Sequence, residues 1–248
     1  MKTSNPVFTG TTYDVTGTRA GYGQGMTVSG TVNKAGILLV LVLCTAIYTW
    51  NQAISSGDLS SVGGYTMIGA IGGFIAAMVT VFKKEWAGVT APVYALLEGL
   101  FLGSISAMFE MRFPGIAMES VALTFGTCFA MLLAYRSGLI KPTAKFQTGI
   151  IAATGGIAIT YFASMLLGFF HIQIPGIFGS GPIGIVFSLA VVAVAALNLI
   201  LDFNFIEQGA LSNAPKYMEW YSAFGLMVTL VWLYLEILRL FSKLRDRR

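Results

Sequence analysis

The sequence predicts an all-α integral membrane protein, a bundle of seven transmembrane helices. Composition is the first reason. Of 248 residues 56 % are hydrophobic and only 10 % charged, where a soluble domain carries about 25 % charged residues. Mean hydropathy is +0.76. Patterning is the second. The apolar residues gather into seven runs, near 35–54, 64–82, 91–110, 117–135, 147–170, 183–206 and 222–241. Each is close to the roughly 20 residues that a membrane-spanning helix needs. Runs such as AGILLVLVLCTAIYTW and GIVFSLAVVAVAALNLIL lack the strict alternation of transmembrane strands. Helices also satisfy their own backbone hydrogen bonds in lipid.

Residues 1–33 are polar and rich in Gly, Thr and Ser, which predicts a flexible tail ahead of a membrane domain over 34–248. No short apolar run with a small-residue cleavage site stands in that tail, so a removable signal peptide is not expected. The connecting loops, among them SSGDLSS, KKEWAG, RFPG and RSGLIKPTAK, are short, so successive helices lie side by side. Gly69 with Gly73, and Gly99 with Gly103, form two G-x-x-x-G spacings. Small residues at that spacing let helix backbones approach closely.

Orientation follows from Lys and Arg. The loop 83–90 carries Lys83 and Lys84, and 136–146 carries Arg136, Lys141 and Lys145, whereas 55–63 and 171–182 carry none. The positive-inside rule places the two basic loops and the N-terminus in the cytoplasm. Seven full spans then put the C-terminus outside, although it reads SKLRDRR. Either the last segment spans against the local charge rule, or it is re-entrant.

Few charges enter the apolar runs. Glu110 and Glu119 stand near helix ends, while Glu98, Asp202 and Glu236 lie further in, with Arg239 one turn after Glu236. A carboxylate at the bilayer centre costs roughly 2.5–3.5 kcal/mol on insertion scales, so such acids are functional candidates by default. In the N-inside arrangement Asp202 lies roughly 6 Å from the cytoplasmic end of its helix, Glu98 roughly 10 Å and Glu236 roughly 21 Å. The plainer readings are a Glu236–Arg239 pair that neutralises itself at i, i+3, an Asp202 that snorkels to water, and a Glu98 that bonds a neighbouring helix.

Other signals are set aside. Cys44 and Cys128 sit in apolar runs and suggest neither a disulfide framework nor a zinc site. The single histidine, His171, stands at a helix end beside Gln173 and Pro175. Gly179, Gly181 and Gly184 spell G-x-G-x-x-G without the strand that a dinucleotide site requires. Trp50, Trp86 and Trp220 fall near segment ends as an interfacial belt would. Nothing interleaves basic and aromatic residues as a nucleic-acid surface does.

Three stretches carry a resemblance: KKEWAGVTAPVYALLEGLFLGSISAMFE, LNLILDFNFIEQGA and MEWYSAFGLMVTLVWLYLEILRLFSKLR. Together they resemble the Bax inhibitor-1 family in its bacterial branch, over roughly 35–245. The resemblance implies a seven-helix bundle with the last helix central. It also implies a pH-sensitive calcium leak governed by two carboxylates on the sixth and seventh helices, which fall here on Asp202 and Glu236. The family's second acid is Asp, and this chain has Glu there. A basic residue after the second helix partners the pair in relatives, and Lys83 and Lys84 stand in that place, as Lys rather than Arg.

The expected function is therefore a calcium-permeable, pH-gated leak in a bacterial cytoplasmic membrane. Asp202 and Glu236 act as sensor and transient calcium ligands, and Glu98, Lys83, Lys84 and Arg239 are candidates for the ion path or latch. No cofactor and no enzymatic activity are expected. The partners are calcium ions, protons, the lipid bilayer and other membrane proteins, with no nucleic acid. Two alternatives stand beside it: a proton-coupled cation transporter, and a regulatory protein that acts through membrane partners without transport. A topology reporter tests the frame. Fused after Lys84 or within 136–146 it should read cytoplasmic, and within 55–63 external. An external signal at 136–146 would overturn the depth assignments.

Overall fold

A computed structural model describes residues 25–170 and 176–247. Seven long apolar helices run through them: α1 (Val28–Ser56), α2 (Ser60–Phe82), α3 (Ala87–Arg112), α4 (Ile116–Arg136), α5 (Ala144–Phe169), α6 (Pro182–Leu211) and α7 (Met218–Asp246). A single 3₁₀ turn, Lys84–Trp86, joins α2 to α3. All seven are long and apolar enough to cross a membrane, so the chain is a multi-pass membrane protein. His171, Gln173 and Pro175 lie outside the described residues, as does most of the expected tail.

The helices overrun the apolar runs that predicted them. α1 and α7 have 29 residues each, about 43 Å at 1.5 Å per residue, against a hydrocarbon core of roughly 30 Å. Hydropathy marks only the part in hydrocarbon, and local chemistry sets the ends. α1 begins at Val28 rather than at the apolar boundary because the Thr27 hydroxyl accepts the Gly30 amide at 3.0 Å, an N-cap. It stops at Gly57, whose φ of 64° suits glycine. In the next turn the Ser60 amide and hydroxyl donate to Asp58, which holds that carboxyl below its usual range. Glu110 accepts the amides of Gly115 at 2.6 Å and Ala117 at 3.2 Å, and so turns α3 into α4. Pro182 opens α6 at the position where its missing N–H costs nothing.

The described residues form two compact units, 25–117 with 205–228, and 118–204 with 229–247. In the first, α3 packs along both α1 and α2, and the two G-x-x-x-G pairs are the seams. A Cβ on Gly99 would overlap the Val42 carbonyl and the Thr45 hydroxyl, and one on Gly103 the Ala46 carbonyl and the Thr49 hydroxyl. A Cβ on Gly69 would stand 2.7 Å from the Leu97 carbonyl and from the Phe101 amide of α3. Thr45 and Thr49 turn their hydroxyls onto carbonyls of their own helix, which keeps the seam free of unmet donors.

The second unit is cored by α6 and the end of α7, with Leu199, Ile200, Leu201, Leu233, Ile237 and Leu238 buried. Asn198 of α6 donates to Thr154 of α5 at 2.9 Å. Over its most apolar stretch α5 has 6 % of residues buried, while α7 has 56 %, the largest share of the seven. α7 continues unbroken to Asp246, so the last segment does not turn back. Its basic end is answered within the unit: Arg239 by Glu236, Arg245 by Glu119 at 2.8 Å, and Lys243 by the Ile177 and Gly184 carbonyls and the Ser188 hydroxyl.

The seams predict a sharp contrast. Gly99→Val or Gly103→Val should lower thermal stability in detergent by about 1–3 kcal/mol of overpacking. Gly126→Ala and Gly155→Ala, where a Cβ meets nothing within 4 Å, should be neutral or stabilising. Equal loss at both pairs of sites would show that the seams do not hold the helices together.

Candidate functional site

Glu236 is the best-defined acid within the spans. It sits on α7, 2 % exposed, and an unneutralised carboxylate there would be costly. Two groups meet it. The Tyr161 hydroxyl of α5 lies 2.9 and 3.0 Å from its two oxygens, and Arg239 Nη1 lies 3.0 and 3.2 Å from them. Nη1 also donates to the Tyr161 oxygen at 2.8 Å, and the guanidinium stands 5.1 Å from the tyrosine ring centroid. The three groups therefore close a triangle. Phe178 and Phe187 pack on Tyr161 with centroids 5.9 and 6.2 Å away, and they hold its hydroxyl in place.

Asp202, on α6, is fully buried in the same unit. Leu199, Ile200 and Leu201 of the same helix are buried as well. It lies nine residues before the end of α6, and Glu236 lies eighteen after the start of α7. For straight antiparallel helices that is a difference of about 13 Å along the axis.

Glu98 belongs to the other unit. It lies on α3 between the two glycine seams, where a Cβ on Gly73 of α2 would stand 3.1 Å from its Oε2. Lys83 and Lys84 are also in that unit. Lys83 is exposed, and Lys84 places its ammonium 5.8 Å from the centre of the Tyr221 ring. Of the residues singled out by sequence, then, Glu236 and Arg239 are brought into contact, and Lys84 stacks on an aromatic ring. Among the described residues no group of three or more His, Cys, Asp or Glu side chains is placed to hold a metal ion.

Sequence reasoning missed Glu219. It opens α7 and is fully buried. It accepts the Thr27 amide and hydroxyl, both at 2.9 Å, and Lys216 at 2.8 Å, and it forms an ion pair with Lys34. Lys34 also stands 5.6 Å from the Trp220 ring. A Cβ on Gly30 would overlap the Glu219 carboxylate and push it from this position. By depth alone Glu219 looks like any acid at a helix end. Its one local signal is a carboxylate in the first turn of a helix, where the macrodipole favours it. Its partners Lys34 on α1 and Thr27 at the N-cap of α1 lie 185 and 192 residues away.

The family model described as Bax inhibitor 1 like matches residues 5–246. No curated protein and no solved structure matches the chain.

The Glu219 cluster predicts an asymmetry. Glu219→Gln strips the charge that answers two lysines and should cost about 1–3 kcal/mol, read as a fall of several degrees in the unfolding temperature. Lys216→Met, at a side chain 59 % exposed, should change it by less than about 1 kcal/mol. Equal effects would mean that the exposed lysine, rather than the buried acid, organises the cluster.

Proposed function

Because the chain belongs to the Bax inhibitor 1-like family, we propose that it is a pH-sensitive, calcium-permeable leak of the family's bacterial branch, lying in the cytoplasmic membrane with its N-terminus inside. The observation that carries this reading is the pair of buried acids in one unit, Asp202 on α6 and Glu236 on α7.

Calcium takes six to eight oxygens at a tight site. The Glu236 carboxylate and the Tyr161 phenol together fall short of that number, so a passing ion keeps much of its water. Weak, partly hydrated sites of this kind suit conduction, which needs an ion to leave as readily as it enters. Arg239 is the latch. While its guanidinium holds Glu236, the carboxylate is neutralised and offers a cation little attraction. Release of Arg239 exposes a charge on the path.

The two acids also sense each other. Their offset along the axis, about 13 Å, leaves the two carboxylates a long-range repulsion of about 1 kcal/mol at an effective dielectric near 20. With Arg239 on Glu236 the repulsion is cancelled, and when the latch opens it returns. Proton binding at either acid is thereby tied to the Arg239 contact. Glu98, a third acid within the spans, lies between the glycine seams of the other unit. A charge-compensated acid within a span also serves proton relays, and the Glu236–Arg239 pair favours a proton-coupled cation transporter as the second reading.

Purified protein in liposomes separates these. For a leak, calcium flux follows the calcium gradient alone, whereas a transporter's flux follows an imposed proton gradient. Asp202→Asn and Glu236→Gln should each flatten flux against pH, and the double variant should add little, because residues acting as a unit are non-additive. Wild-type pH profiles in both single variants would remove these residues from the sensor.

A further inference from the structure

The unit that holds α5 and the end of α7 contains a pocket of about 570 Å³, walled by Tyr161, Phe178, Ser180, Arg239, Lys243 and Asp246 among others. The midpoint of α7 is residue 232. In a helix centred in the bilayer, Arg239 then lies about 10 Å from the midplane, Lys243 about 16 Å and Asp246 about 21 Å. The hydrocarbon ends at roughly 15 Å and the headgroup layer at roughly 20–22 Å. The pocket therefore runs from Arg239, about 5 Å inside the hydrocarbon edge, to Asp246 in the headgroup layer, so a phosphate held on Arg239 sits deeper than those of the surrounding bilayer.

Its charges are ordered along that depth. Among the described residues Arg239 gives Nη1 to Glu236 and Tyr161. The Arg239 side chain is 41 % exposed, and Nε and Nη2 form the adjacent pair of donors that matches two oxygens of a phosphate. Lys243 is 5 % exposed and gives its protons to two carbonyls and a hydroxyl. None of those acceptors carries a formal charge, so its positive field reaches into the pocket. Further out comes the opposite sign: Asp246, which accepts the Ser180 hydroxyl at 3.3 Å. Phe178 adds an apolar edge beside the cations. With Glu236 compensating Arg239, the inner wall keeps one net positive charge, that of Lys243, which favours an anion over a divalent cation.

We infer that this pocket binds the headgroup of a zwitterionic phospholipid with a primary ammonium, its phosphate on Arg239 and its ammonium on Asp246. Such a headgroup has the required order, with phosphate next to the acyl chains and ammonium farther out. A choline headgroup has no N–H to give Asp246, and a glycerol headgroup has no cation.

Native mass spectrometry of the full-length protein in mild detergent tests this, with ethanolamine, choline and glycerol phospholipids of identical acyl chains. One ethanolamine lipid should be retained about ten-fold more strongly than either of the others, the worth of one hydrogen bond to a charged group. Asp246→Asn should bring that preference to about one. Arg239→Gln should abolish retention of all three. It also uncovers Glu236, so the double variant Arg239→Gln/Glu236→Gln repeats the measurement without a buried unpaired acid. Equal retention of choline and ethanolamine lipids, or an unchanged preference in Asp246→Asn, would overturn the ammonium assignment. Millimolar inorganic phosphate protecting the protein from thermal unfolding as well as the lipid does would make the pocket a site for free phosphate.

Discussion

A charge drawn into hydrocarbon must be neutralised within the reach of its own side chain, since no water stands by to do it. That constraint organises the polar chemistry of this chain. Glu236 is met by Arg239 from one turn along α7 and by Tyr161 from α5. Glu219 gathers two lysines and a threonine around one carboxylate. Each solution fixes a backbone as well as a charge: the first holds α5 against α7, and the second holds the start of α1 against the start of α7. A buried ion pair is weak evidence of stability, because desolvation offsets most of the attraction, but it is unforgiving when one partner is lost. The polar clusters therefore specify which helix faces meet, while the bulk of the packing energy comes from elsewhere.

That energy comes from close contact. Lipid tails are as apolar as leucine, so helices gain little by hiding apolar surface from them and must win by approaching more closely than lipid can. The seams of α3 do this at Gly99 and Gly103 against α1, and α2 returns the device with Gly69. Glu98 lies between these seams, where the backbones leave little room for it to move.

The architecture was legible because the solvent writes it into composition: runs of about 20 apolar residues in lipid admit one kind of backbone. The helix ends were less legible. They depend on caps such as Thr27 and Glu110, which lie outside the apolar runs. Within the candidate site, the Glu236–Arg239 contact followed from spacing along one helix, but Tyr161 stands 75 residues away and left no trace in the local sequence. Glu219 was hidden for the same reason. The burial of Lys243 was illegible too: it stands in a basic C-terminal run, yet it rests on carbonyl oxygens of the α5–α6 connection and α6.

The tie between Thr27 and Glu219 spans 192 residues, and the backbone bridge from Gly25 to Pro215 spans nearly as many. At about 5–20 residues per second a ribosome needs roughly 10–40 s to travel that distance. Throughout that interval the first helix is already made, yet the carboxylate that answers Lys34 has not been synthesised. The chain closes on itself only when its last helix emerges. Insertion of the early helices must therefore be tolerated in an unfinished state, and quality control at the membrane meets a protein in which the starts of α1 and α7 are among the last parts to agree.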